Sequence, residues 1–252
     1  MAFPPKTRLI SSYKSFATYS SLFVILMGVL VMIGWALNIP FLKSVFLDLT
    51  TMKANTAFCF VLSGIALWLV NDEKAEDKKM WAVRACAALV TALGLLTLGE
   101  FIFRIDLGID QLLFKDTETP QVAFPGRIGF PSAISFVLIG VSLSALTLRS
   151  GAANLLSQSV VLVAGTIGLL ALIGYLYDVE ALHGVGHSSH MALHSAVNFI
   201  LLALGICCAR PQMGLMRLLT ADSVESEVVR RLLSVLFGMP IILGWLSLWG
   251  NV

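Results

Sequence analysis

All four histidines of this chain fall within twelve residues: His183, His187, His190 and His194. Imidazole is a common ligand for zinc, copper, iron and nickel. If the segment is helical from Ser189, His190 and His194 stand four residues apart on one face, a spacing able to hold one transition-metal ion or one haem iron. His183 and His187, around the loop Gly184-Val185-Gly186, would complete such a site. Asp178 and Glu180 lie close enough in sequence to orient the imidazoles through their other ring nitrogens. Two further readings stay open: a solvated loop capped at Ser188 or Ser189, and a pH-responsive cluster, because imidazoles titrate near neutrality.

A second group of polar residues centres on Glu100 and Arg104, four apart with the acid on the N-terminal side, the favourable order for a helical pair. Asp106, Asp110 and Arg127 follow in the same connecting segment and extend the candidate polar network. Asn55 and Asn198 are polar groups inside apolar stretches and need partners there. Glu100 and Arg104, as ionisable groups in such a stretch, are functional candidates by default. No P-loop, HExxH, GxSxG or mid-segment carboxylate pair is present, so no catalytic residue is assigned and no enzyme is expected from this chain. Cys59, Cys86, Cys207 and Cys208 have no zinc-like spacing and read as small buried hydrophobes.

The elements that must position these residues are membrane helices. The chain of 252 residues is 58% hydrophobic and 13% charged, with a mean hydropathy of +0.88. Soluble domains run to about 45–50% apolar and about 25% charged. Apolar runs recur at about 18–38, 54–71, 80–103, 129–148, 156–177, 190–209 and 231–250. Each is long enough for a spanning helix, which needs roughly 20 residues. In lipid the backbone must satisfy its own hydrogen bonds, and continuous apolarity without period-2 alternation selects helices over a barrel. The expected fold is an all-α polytopic transmembrane bundle of about seven spans, one domain over 1–252.

Twelve of the 17 Lys and Arg fall on the side shared with the N-terminus. That bias places the N-terminus in the cytoplasm and the loops 38–53, 104–128 and 178–190 outside. Trp35, Tyr175, Tyr177 and Trp249 then mark the outer interface, with Trp68 and Trp81 at the inner one. The net charge of +2 gives no reason to expect a nucleic-acid partner. A short amphipathic piece from Met213 to Leu219 is expected on the inner surface.

The chain also repeats itself. Asn55-Thr56-Ala57-Phe58-Cys59-Phe60, Pro131-Ser132-Ala133-Ile134-Ser135-Phe136 and His194-Ser195-Ala196-Val197-Asn198-Phe199 open three of the spans. Each carries a hydroxyl, an Ala and a Phe in the same register. The hydroxyls are expected to cap the helix starts. The preceding spans share a weaker mark: Gly34-Trp35, Gly99-Glu100 and Gly174-Tyr175. Three helical hairpins follow, over about 18–71, 80–148 and 156–209. Gly244-Trp245 makes 231–252 the first half of a fourth hairpin, whose returning eighth helix is expected beyond the chain.

Leu107-Gly108-Ile109-Asp110-Gln111-Leu112-Leu113-Phe114, with Pro125-Gly126-Arg127-Ile128 and the span opening after it, resembles the N-terminal membrane-associated sensor region of many bacterial signalling proteins. Met52-Lys53-Ala54-Asn55-Thr56-Ala57 and Met191-Ala192-Leu193-His194-Ser195-Ala196 are similar to that region's other signature stretches. Where the family usually reads Pro-Asn-Thr-Ala, this chain has Phe130-Pro131-Ser132-Ala133. The resemblance covers about residues 20 to 250. It implies about eight helices in the bacterial inner membrane, ahead of PAS, histidine kinase or diguanylate cyclase domains. The implied function is a sensory input module for signal transduction, as in two-component systems, with the bilayer, a cytoplasmic output domain in cis and a second copy of the chain as partners. A metal- or haem-binding membrane protein using the outer histidines is the alternative expectation, and a small-substrate transporter the second.

Overall fold

The computed structural model describes residues 7–44, 50–72, 77–116, 124–148, 150–177, 190–221 and 228. The expected seventh span, 231–250, and the residues His183 and His187 lie outside them. The described helices are α1 (Thr7–Ala36), α2 (Pro40–Lys43), α3 (Ala54–Asn71), α4 (Asp77–Phe103), α5 (Phe130–Leu146), α6 (Gly151–Tyr177), α7 (Leu193–Ala209) and, after a 3-10 turn at Gly214–Met216, α8 (Arg217–Thr220). Four of them, α1, α3, α4 and α6, are long and apolar enough to cross a membrane. A fifth is reached if α7 and the segment Gly214–Thr220, bent 68° from it, count as one span. Helix α5 is apolar but has only 17 residues, about 25 Å at 1.5 Å per residue. Helices α5 and α7 are shielded by their neighbours over most of their residues, so they need less lipid-facing length.

The helices pair as antiparallel hairpins, α1 with α3, α4 with α5 and α6 with α7. Contacts of α3 with α4, α5 with α6, and α7 back onto α1 close the hairpins into a ring. Helices α3, α5 and α7 lie inside it. Their repeat-related phenylalanines meet at the centre, with ring centroids 5.0 Å apart for Phe60–Phe136, 4.8 Å for Phe60–Phe199 and 4.9 Å for Phe136–Phe199. Each such pair adds about 0.5–1.5 kcal/mol beyond its burial.

The outer helices obey the same register. Ser21, Val24 and Val31 on α1, Ala87, Val90 and Thr97 on α4, and Val161, Ala164 and Ala171 on α6 are at most 1% exposed. Glycine recurs in this register at a backbone contact. A Cβ at Gly28, Gly94 or Gly168 would lie 2.8, 2.9 or 2.9 Å from the carbonyl oxygen of Ala57, Ala133 or Ala196. Helix association in lipid depends on such close approach, because burial from lipid carries no hydrophobic gain.

Two expectations are corrected. The residues before α3, α5 and α7, at their N-caps, are Lys53, Gly129 and Ala192, and none makes a side-chain cap bond. The repeated hydroxyls Thr56, Ser132 and Ser195 sit three residues past those caps, at most 3% exposed, and serve the interior. The weaker sequence mark is also off by one. The buried register aligns Gly34 and Gly174 with Glu100, whereas a Cβ at Gly99 would meet nothing within 4 Å.

The end where α1 begins and α3, α5 and α7 finish is the near end; the opposite end is the far end. At the near end each outer helix is tied to its partner. Asn71 Nδ2 donates to Thr18 Oγ1 (2.9 Å), Arg84 Nε to Thr147 Oγ1 (3.2 Å), and Gln158 Nε2 to the Cys207 carbonyl (3.3 Å). At the far end Trp35 Nε1 donates to the Met52 carbonyl (2.9 Å) and Tyr175 OH to the Met191 carbonyl (2.7 Å). These are equivalent ties in the first and third hairpins. The middle hairpin has Phe101 there, packed edge-on against Phe130 at 5.5 Å, with Glu100 beside it.

Candidate functional site

The middle hairpin replaces the simple far-end tie with a buried charged node. Glu100 stands where the other hairpins have glycine, in the last turn of α4, and is 0% exposed. Helix α4 stops at Phe103, and Arg104 takes a left-handed backbone, φ 53°. That turn carries Arg104 off the helix and leaves it exposed. The expected Glu100–Arg104 pair is therefore not made, since four-residue spacing brings side chains together only while the helix continues.

Arg127 takes its place from the other end of the connecting loop. Its Nε donates to Asp110 Oδ2 at 2.8 Å and lies 3.5 Å from Glu100 Oε2. A second nitrogen donates to the Ile105 carbonyl at 3.1 Å. The guanidinium also stacks 3.8 Å from the Phe124 ring centroid and 5.4 Å from that of Phe101. A planar cation suits this double role of forked donor and stacking partner. The second oxygen of Glu100 accepts from the Leu107 amide at 2.9 Å, turning the chain back over the helix end.

The first hairpin is clamped to the same loop. Asn55 Nδ2 donates to the carbonyls of Ile109 (2.8 Å) and Asp110 (3.2 Å). Lys53 Nζ lies 2.6 Å from Asp116 Oδ2, which also accepts from the Gly126 amide at 3.1 Å. Gly126 has φ +80°, and a Cβ there would sit 2.7 Å from the Asp110 carbonyl oxygen. Only glycine brings the two loop strands so close. The Leu107–Phe114 and Pro125–Ile128 stretches thus form one structure around Arg127.

Electrostatically the node is short of one positive charge. Two buried carboxylates share one guanidinium, and Asp110 Oδ1 has no hydrogen-bond partner among the described residues. Burial pushes the Asp110 carboxyl up to about 6; the hydrogen bond and charge of Arg127 oppose that rise, and Glu100 adds to it. Asp106 lies at the exposed edge, accepting from the Gly108 amide at 2.8 Å. One carboxylate oxygen each from Glu100, Asp106 and Asp110 come within 4.8 Å of one another. Arg127 already sits against two of the three, Glu100 and Asp110.

The histidines are not assembled in the expected way. Helix α7 starts at Leu193 after an extended Ala192, so His190 precedes the helix and does not share a helical face with His194. His194 is 5% exposed, and neither ring nitrogen has a hydrogen-bond partner among the described residues. Asn198, one turn deeper and 0% exposed, also has no partner for either amide atom among the described residues. Neither shortage is legible in the sequence, because it depends on what faces α7 from neighbouring helices.

Comparison of this chain with protein-family models, with curated proteins and with solved structures returned no match.

Proposed function

We propose that this chain is the membrane-embedded sensory input module of a bacterial signalling protein. It lies in the cytoplasmic membrane with its near end inside and acts on a histidine kinase or diguanylate cyclase output domain in cis. The observation that carries the reading is the Glu100–Asp110–Arg127 node. It lies in the one hairpin that departs from the repeat, at the end the charge bias puts outside, and it ties that hairpin to the first through Asn55 and Lys53. The stretches that resemble those of membrane-associated sensor regions, Leu107–Phe114 and Pro125–Ile128, form its loop.

A sensor needs a group whose two states favour two helix packings differently. Asp110 supplies one. Protonated, it leaves Glu100 and Arg127 as a balanced pair; ionised, it adds an uncompensated negative charge. Its folded-state value of about 6 lies above the ordinary 3.8. The folded bundle therefore holds this proton more tightly than the unfolded chain. Its contribution to stability is fully present below about pH 4, is lost as pH rises towards 6, and is flat above. Helices α3 and α4, packed together, would carry the resulting shift to the near end.

The test is a chimera of this chain with a cyclase or kinase output domain, assayed in vesicles at external pH 5 to 8. Output should change with a midpoint near 6, and the change should be lost in Asp110→Asn. Output indifferent both to external pH and to Arg127→Gln would sink the proposal.

A further inference from the structure

The far-end node leaves another set of polar groups unused, and these lie along one seam of the ring. His194 and Asn198 are one turn apart on α7. The same stripe of that helix continues through Leu202 to Gly205, where an added Cβ would lie 2.8 Å from Leu67 Cδ2 of α3 and 3.2 Å from Ser20 Cβ of α1. The stripe therefore faces the α1–α3 pair. Ser63, one turn from Leu67 on the same side of α3, is 0% exposed, and its hydroxyl has no hydrogen-bond partner among the described residues; nor has that of Ser20, 3% exposed. At the near end the side-chain carbonyl of Asn71 is also buried, with no partner among the described residues. Asn71 lines an open cleft of about 430 Å³ with Lys14, Ser15 and Thr18.

The other two seams are built differently. Between α5 and α6, Ser142 Oγ and Ser157 Oγ are 2.7 Å apart, and Ser142 donates to the Ser157 carbonyl at 2.8 Å. Ser135, which the repeat aligns with Asn198, donates to the Pro131 carbonyl at 2.8 Å. On α3 the aligned residue is Cys59. Only the α1–α3–α7 seam joins unpartnered imidazole, amide and hydroxyl groups from end to end among the described residues.

We propose that this seam holds a file of water molecules running from the Asn71 cleft to His194. In the repeat register Ser63 is level with Leu202, Ser20 with Gly205, and Asn71 with Arg210. At 1.5 Å per residue the axial steps from His194 through Asn198, Ser63 and Ser20 to Asn71 are about 6, 6, 4.5 and 7.5 Å. Each step fits one or two bridging waters and is too long for a direct bond. Imidazole, amide and hydroxyl each donate and accept, as water does. Buried water is held by two to four such partners, whereas cavities that stay empty are apolar. The amides and hydroxyls named on the seam carry no charge.

The test is water-edited solid-state NMR on the full chain in lipid bilayers, following magnetisation from water to assigned side-chain nitrogens. Transfer to Asn198 and His194 should be as fast as to Asn71. In Asn198→Leu, which interrupts the file, transfer to His194 should fall several-fold. Ser63→Ala, which removes one oxygen and adds no bulk, keeps the test open if Asn198→Leu does not fold; it should slow transfer to Asn198. Transfer to Asn198 no faster than to the buried Phe199 amide would overturn the proposal. So would a rise of about 2–4 °C in thermal midpoint in either variant, since relief of a dry, unpaired group stabilises.

Discussion

Arg127 is the residue on which the far end turns. It touches Asp110, Glu100, the Ile105 carbonyl and two aromatic faces, and it is nearly inaccessible. Removing one partner from such a buried set leaves the others uncompensated, at a cost of about 3–5 kcal/mol. Arg127→Met should therefore destabilise the bundle by that order in thermal unfolding at pH 7.5. Adding Glu100→Gln to Arg127→Met should restore part of the loss, because one orphaned negative charge is then gone. Additive effects of the two substitutions would show that they are not a coupled unit. The sequence offers all the members of this node but pairs Glu100 with the wrong arginine. Spacing favours Arg104 only while α4 continues, and the left-handed turn after Phe103 is visible only in the folded chain.

At the level of elements, the antiparallel hairpin depends on glycine at the crossing. A side chain at Gly94 would strike the Ala133 carbonyl, which is backbone and cannot move aside without displacing α5. Gly94→Val should separate α4 from α5 and sharply reduce folded protein in membranes. Gly99→Val is the control: nothing among the described residues lies within reach of its Cβ, so its thermal midpoint should stay close to that of the native protein. Equal damage from both would mean that helix propensity, not packing, sets the effect. The sequence shows both glycines and even suggests that Gly99 belongs to the repeat. Burial corrects this, since position 100 is the one facing inward. Helix extents were far easier to read: the run 54–71 coincides with α3, and the other described long helices agree to within five residues except at the start of α1, where Lys and Arg mask helical continuation.

For the molecule as a whole, the ring is closed by α7 against α1. Ser20 and Gly205 are far apart in sequence, yet their Cβ positions lie 3.2 Å apart, near the 3.5–4.5 Å span of a disulfide. In a background with Cys59, Cys86, Cys207 and Cys208 replaced by alanine, Ser20→Cys with Gly205→Cys should cross-link in isolated membranes under mild oxidation. Ser20→Cys paired with a cysteine at Leu204, an exposed position of α7, should not. Failure of the first pair would mean the hairpins form an open row.

The sequence by itself determined that this is a helical membrane protein, where the described helices lie, and that three hairpins share a register. Those properties follow from local composition, from the need of a backbone in lipid to bond to itself, and from recurrence along the chain. Tertiary structure alone decided that the hairpins close into a ring about three phenylalanines, that Arg127 and not Arg104 answers Glu100, and that His194 and Asn198 face a seam with no partner for them among the described residues. Each of those depends on which residues distant in sequence meet. In a bundle whose helices gain nothing by leaving lipid, that is settled by the fit of small residues against backbone and by the pairing of the few buried polar groups.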